Sequence, residues 1–169
     1  MYVLSYEDYQ AHLSKELGRL SSAHLALFAA DLVQRVFDDY GEALQQELPT
    51  TTLESLRSIR GELMGALSAA AMLSTAAADR LQRELRKLVP EEDDGMELSS
   101  DAVEVLACLE TAIEFCRAPS VKAALFIAEH LFNCLVYDFE GGCEANSMFI
   151  HPPMQEELQK QLRFISSLV

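Results

Sequence analysis

The sequence predicts an all-α fold: a single-domain bundle of six or seven helices over residues 1–169, with a central apolar helical hairpin. Apolar residues recur at three- and four-residue steps along most of the chain, which is the spacing of one helix face. Only 7 glycines and 5 prolines occur, too few for the frequent turns of an all-β chain. Half of the residues are apolar, which is enough for a sizeable core.

The first two helices are marked by serine caps. Ser5 and Asp8 have the spacing of a capping box, and apolar residues follow it on one helical face. Ser21 or Ser22 is expected to cap the second helix. Gly41 either bends or ends this helix, or the helix continues to the next proline.

The third helical pattern begins after Pro49, with Thr52 as its expected cap. The dipeptide Ser74-Thr75 interrupts the apolar pattern further on. Two alternatives follow, because the chain either forms two helices here or one that runs through to Pro90, where proline ends it. This choice accounts for the uncertainty between six and seven helices.

The second half of the chain predicts three more helices. One runs from Ser100 to Arg117, and the next has Pro119 at its first position and ends near Phe139. The last helix begins at the prolines 152–153. The first two of these are apolar almost all round, as is typical of helices at the centre of a bundle. We therefore expect them to form the central hairpin, with the other helices packed around it.

The most unusual feature of the composition is the large excess of acidic over basic side chains. The chain carries 27 acidic and 13 basic side chains, a net charge of −14, and residues 91–169 alone carry 15 acidic and 4 basic groups. Such a field repels nucleic acids, so direct nucleic-acid binding is not expected. The densest acidic cluster is the expected partner-binding surface, and it consists of Glu91, Glu92, Asp93, Asp94 and Glu97. The alternative is that this loop pairs with the nearby cationic stripe of Arg80, Arg83 and Lys87.

No motif predicts catalysis, and no catalytic, cofactor-binding or metal-binding residues are expected. The four histidines lack the i, i+4 pairing of a zinc helix, and the Glu-x-x-His pairs of di-iron bundles are missing. They are His12, His24, His130 and His151. No phosphate-binding glycine loop follows a predicted strand.

Two polar groups interrupt the apolar central helices. Lys122, Glu129, Asn133 and Tyr137 form a polar stripe on one of them, which either joins helices through a buried network or lines a small cleft. On the other helix, Glu110 and Glu114 lie near Arg117 and are expected to form a solvated, paired edge.

The cysteines and the first residues favour a cytoplasmic protein. Three of the cysteines lie in apolar helical patterns, where a reduced thiol acts as a small hydrophobic group. These are Cys108, Cys116 and Cys134, whereas Cys143 lies in a polar loop. The first residues lack the charged and apolar regions of a signal peptide, and no stretch has the length and hydropathy of a membrane span.

Three stretches resemble the YjaG-like family of small bacterial helical proteins, a family of unknown function. Residues 17–40, with the sequence LGRLSSAHLALFAADLVQRVFDDY, resemble its opening helix. Residues 101–112, DAVEVLACLETA, resemble its central alanine-rich helix, and residues 151–162, HPPMQEELQKQL, resemble its terminal helix. The resemblance covers under half of the chain. It implies an all-helical bundle and no particular activity.

A small acidic helical domain without catalytic motifs fits a protein that acts by binding another protein. One concrete form is an immunity protein that binds and neutralises a cationic bacterial toxin, since opposite charge steers association. The alternative is a small-ligand-binding or enzymatic bundle with a polar pocket around Lys122, Glu129 and His130. A structural homodimer is a further interpretation that is compatible with the sequence.

Overall fold

The computed structural model describes residues 5–89, 97–137 and 151–169, and seven helices form within them. This confirms the all-α class and the upper of the two predicted helix counts. No strand occurs in these described residues. In chain order the helices are α1 Tyr6–Leu17, α2 Ser22–Glu47, α3 Thr50–Ser68, α4 Thr75–Leu88, α5 Ser100–Arg117, α6 Val121–Tyr137 and α7 Pro152–Ser167.

Serine side chains begin five of the helices. The hydroxyl oxygen of each accepts the backbone N–H three residues later, at distances from 3.1 to 3.3 Å. These bonds satisfy N–H groups that the first turn of a helix leaves without a partner. The capping serines are Ser5, Ser21, Ser74, Ser99 and Ser120.

Two predicted helix starts are wrong. Helix α3 begins at Thr50 directly after Pro49, so Thr52 lies inside the first turn rather than at the cap. Helix α6 begins at Val121, and Ser120 rather than Pro119 supplies its capping contact. Pro49 itself is the extended residue before α3, with φ −58° and ψ 147°. The predicted end near Phe139 lies outside the described residues.

Helix α3 ends at Ser68, before the predicted interruption. Ala70 adopts a left-handed conformation with φ 49°, and the N–H of Ala71 donates to the carbonyl of Ala66 at 2.9 Å. This is the Schellman arrangement that ends many helices, with alanine where glycine is usual. The chain then crosses to α5, where the N–H of Leu73 donates to the carbonyl of Cys116 at 3.0 Å.

Helices α5 and α6 pack against each other as the predicted central hairpin, but α2 joins them at the centre. The prediction that α2 lies among the surrounding helices is wrong. Helix α2 runs uninterrupted through the buried Gly41 and contacts both α5 and α6. Its long buried face includes Phe28, Leu32 and Val36, each with no exposed surface. Its length of 26 residues allows this face to reach along both partners.

The terminal helices α1 and α7 cover one side of this centre. Tyr9 of α1 packs its ring 4.4 Å from that of Phe132 on α6, and its hydroxyl donates to Gln161 of α7 at 3.2 Å. Helices α3 and α4 cover the side of α5. No helix in the described part of the chain is both long enough and apolar enough to cross a membrane.

Candidate functional site

A carboxylate, an imidazole and a hydroxyl meet in line between α5 and α6. His130 Nδ1 lies 2.7 Å from Oε2 of Glu104, and its Nε2 lies 2.9 Å from Oγ1 of Thr111. Asn133 also donates to Glu104, at 3.1 Å. Glu104 and Thr111 are seven residues apart on α5, so they project from the same helical face. Each of these groups has at least one hydrogen-bond partner on the other helix.

The order of groups is that of a nucleophile, a base and an orienting carboxylate, but the surroundings favour a structural role. Thr111 lies in the middle of an unbroken helix, where backbone N–H groups bond within the helix and none is free to stabilise an oxyanion. The cavities described below are lined by other residues. The arrangement joins two central helices through satisfied polar contacts.

The polar stripe predicted on α6 is divided between two sides of the helix. Lys122 and Glu129 line a surface groove against α1, whereas His130 and Asn133 face α5. Adjacent residues diverge by about 100° on a helix, so Glu129 and His130 do not share a site. The structure therefore does not bring Lys122, Glu129 and His130 into one pocket.

The groove between α1 and α6 has a volume of about 440 Å³. Gln10 of α1 crosses it at one point, donating to Oε1 of Glu129 at 2.6 Å and to the Tyr6 hydroxyl at 3.0 Å. Burial and the neighbouring Glu129 raise the pKa of Tyr6 above its usual range. The groove is lined by Glu7, Gln10, Ala11, Ser14, Lys122, Leu125, Phe126 and Glu129.

A second surface groove of about 440 Å³ lies between the C-terminal half of α2 and the start of α5, and it is acidic. Glu47 lies beside it, and its Oε2 accepts the N–H of Ser99 at 2.8 Å. Glu97 is exposed just before Ser99. The groove is lined by Asp39, Tyr40, Glu42, Ala43, Gln46 and Asp101.

Most arginines of the described residues are held in ion pairs on other faces of the molecule, with N–O distances from 2.5 to 3.6 Å. No such pair within these described ranges involves Asp39, Glu42, Glu47 or Glu97. The pairs are Arg19–Glu16, Arg35–Glu157, Arg60–Asp38, Arg80–Glu62, Arg86–Glu110 and Arg117–Asp79. Asp39, Glu42 and Glu47 therefore lie together on the surface around this groove, the α2–α5 face, without an ion-pair partner among the described residues.

The predicted cationic stripe has partners within its own neighbourhood. Arg80 pairs with Glu62 of α3 at 2.5 Å and with Glu84 at 3.2 Å. Arg83 donates to the backbone carbonyl of Asp79 at 3.2 Å. The predicted paired edge on α5 is present, because Arg117 pairs with Glu114 at 3.4 Å, while Glu110 pairs with Arg86 of α4 at 3.2 Å. Contacts with α3 and α4 thus supply partners in addition to the local pair that the sequence predicts.

Of the predicted partner-binding cluster, Glu91, Glu92, Asp93 and Asp94 lie outside the described residues, and Glu97 is exposed. The residues predicted to bind a partner did not include Asp39, Glu42, Glu47 or Asp101. The sequence does contain a pattern that points to this surface, because residues 36–56 contain five acidic side chains and no lysine or arginine. Only the antiparallel packing of α2 on α5 brings this run beside Glu97 and Asp101.

Three cysteines are buried, as the apolar patterns around Cys108, Cys116 and Cys134 indicated. Burial raises the pKa of the Cys108 thiol to about 12, with a further contribution from Glu104, and burial alone raises that of Cys116 to about 12. Neither thiol is a nucleophile at neutral pH, since the thiolate is the reactive form. Cys143 lies outside the described residues. The described part of the chain contains no group of three or more His, Cys, Asp or Glu placed to hold a metal ion.

No family model, curated protein or solved structure matches this chain.

Proposed function

We propose that this is a non-enzymatic binding protein whose acidic α2–α5 face binds a cationic protein partner. One observation carries the proposal: Asp39, Glu42 and Glu47 of this face have no ion-pair partner within the described residues, while most arginines of those residues are held in internal pairs. A partner with lysine and arginine side chains would supply the missing counter-charges.

Electrostatics supports this kind of partner. A net charge of −14 gives a field that accelerates encounter with a cationic protein and repels nucleic acids and acidic proteins. Asp39 and Glu42 are exposed, so they act at long range before contact. Because exposed charges are screened beyond about 8 Å at physiological ionic strength, the association rate is expected to fall as salt is added.

The specific form that we favour is an immunity protein that binds and neutralises a cationic bacterial toxin in the cytoplasm. A toxin that acts on nucleic acids or nucleotides carries positive charge around its active site, because its substrates are anionic. An acidic face that occupies such a site would exclude the substrate by both volume and charge. The absence of a catalytic arrangement in the described residues fits a protein that works through its surface.

The test compares two variants with the same loss of charge at different places. Asp39→Asn with Glu42→Gln removes two charges from the acidic face. Asp8→Asn with Glu156→Gln removes the same two types of charge from exposed positions on α1 and α7. Each form is immobilised and used to capture proteins from the native host, and partners are identified by mass spectrometry. Association rates of the purified partner are then measured over a range of salt concentrations.

We expect a basic protein to be retained by the wild type and by the α1/α7 control. We expect the face variant to associate with it roughly tenfold more slowly at low salt, with a weaker salt dependence. Equal association of both variants would exclude the α2–α5 face as the binding surface. Retention of only acidic proteins or nucleic acids would exclude the electrostatic mechanism.

A further inference from the structure

We infer that the groove between α1 and α6 is an interface through which two copies of this chain associate. This inference is independent of the proposed function, because it concerns different residues and a different partner. The first observation is the exposure of Phe126, which has 43% of its surface accessible on a helix that is otherwise largely buried. Ala11, also exposed, and Leu125 continue the apolar surface along the groove.

The second observation is the direction of the two helices. Tyr9 packs on Phe132, whereas Gln10 bonds to Glu129 three residues earlier on α6, so α1 and α6 run antiparallel. Glu7 and Glu129 therefore lie toward one end of the groove. Lys122 lies about 10 Å from Glu129 along α6, since seven residues rise by that length.

The third observation is that the two ends of the groove carry opposite charges. The acidic end carries Glu7 and Glu129, while the opposite end carries Lys122 on α6. Phe126 lies between the two ends, and Lys122 Nζ lies 5.5 Å from its ring centroid. The groove therefore has an acidic end, an apolar middle and a basic end.

A second copy fits this pattern through two-fold symmetry. When two identical patches meet about a two-fold axis, a residue on the axis faces its own counterpart, whereas a residue off the axis faces a different residue of the partner and the same contact occurs twice. An axis through the apolar middle places Phe126 of one copy near Phe126 of the other. It also places Lys122 of each copy opposite the Glu7 end of the other. The acidic end of each groove thus receives the basic end of its partner.

Charge also favours a second copy over the cationic partner proposed for the other face. Both signs of charge occur in the α1–α6 groove, so a uniformly cationic partner would meet Lys122 as well as the carboxylates. The α2–α5 face, in contrast, is lined by acidic and uncharged residues only. The two surfaces share no lining residue, so association through one leaves the other accessible.

The experiment measures molar mass by sedimentation velocity over a concentration range of roughly 1 to 300 µM, the range in which modest interfaces associate. We expect a concentration-dependent dimer for the wild type. Phe126→Ser and Lys122→Glu should each raise the dimer dissociation constant roughly tenfold or more, because one removes the apolar centre and the other places like charges together. Tyr137→Ser is the control, since Tyr137 is an exposed aromatic residue of α6 outside the groove lining.

The most direct test reverses the charges at positions 7 and 122, first singly and then together. Glu7→Lys should weaken dimerisation as Lys122→Glu does, and the double variant should recover it, because the two charges are then exchanged within each patch. Mixing the two single variants should also yield a heterodimer. A wild type that remains monomeric over the whole range overturns the inference. A double variant no better than the single variants, with circular dichroism showing intact helices, overturns it as well.

Discussion

Arg35 of α2 binds both carboxylate oxygens of Glu157 on α7, with Nη1 2.6 Å from Oε1 and 2.7 Å from Oε2. Glu157 is only 4% exposed, so this is a largely buried ion pair between residues 122 positions apart in the sequence. The same carboxylate accepts from Gln161, which in turn accepts from the Tyr9 hydroxyl. One polar chain therefore connects α2, α7 and α1.

Removal of one member of this pair should be costly. We expect Glu157→Ala to lower the free energy of unfolding by about 2 kcal/mol, because the partly buried Arg35 loses both contacts to Glu157 but keeps its pair with Asp31 at 2.9 Å. Glu156→Ala is the control, since this exposed neighbour should change stability by less than about 0.5 kcal/mol. Urea denaturation measures both values. Equal losses of stability at the two positions would show that the Arg35–Glu157 pair contributes no more to stability than the exposed Glu156 does.

The left-handed alanine at the end of α3 predicts a stabilising substitution. Ala70 has φ 49°, a conformation that costs an L-residue with a β-carbon about 1 kcal/mol and costs glycine almost nothing. We therefore expect Ala70→Gly to raise the free energy of unfolding by about 0.5 to 1 kcal/mol. Ala69→Gly is the matched control, because Ala69 has the right-handed conformation and should not gain stability. A loss of stability in Ala70→Gly would refute the Schellman termination.

The Glu104–His130–Thr111 network should behave as a structural contact between helices. Thr111→Val keeps the shape of the side chain but removes the hydroxyl that meets His130 Nε2 at 2.9 Å. We expect stability to fall by about 1 kcal/mol, the usual net value of one hydrogen bond with a partner left behind. Thr51→Val at the exposed start of α3 is the control and should have little effect. A Thr111→Val variant as stable as the wild type would show that this hydroxyl contributes nothing to the fold.

The buried thiols predict a loss of stability at alkaline pH. The pKa values of Cys108 and Cys116 are raised from 9.0 to about 12, so the folded protein disfavours their thiolates. Stability is therefore complete below pH 9 and falls as the pH rises toward 12, by up to about 1.4 kcal/mol per pH unit for each thiol. Tyr9, whose pKa is raised by burial, adds to the loss above pH 10.

Unfolding of the wild type and of Cys108→Ala should be compared from about pH 8 to about pH 11. We expect the variant to be less stable near neutral pH because of its smaller side chain, and to lose less stability as the pH rises. Parallel pH profiles for the two proteins would contradict the shifted pKa of Cys108.

The helical class and most helix boundaries followed from the amino-acid sequence alone. Local signals were sufficient there, since Ser5, Ser21 and Ser74 cap through contacts only three residues long. The sequence also predicted that Cys108 and its neighbours are buried, because an apolar pattern around a whole helix reports burial without reference to the partner.

Which helices meet, and therefore where the polar groups act, depends on long-range packing. The alternative interpretation of the sequence placed Glu129 and His130 in one pocket, but a turn of about 100° directs them to different neighbours, Gln10 of α1 and Glu104 of α5. The acidic residues of α2 become a surface feature only because α2 packs antiparallel to α5 and brings Glu47 to Ser99. Periodicity fixes the buried face of a helix, whereas its neighbours depend on long-range packing that no local pattern specifies.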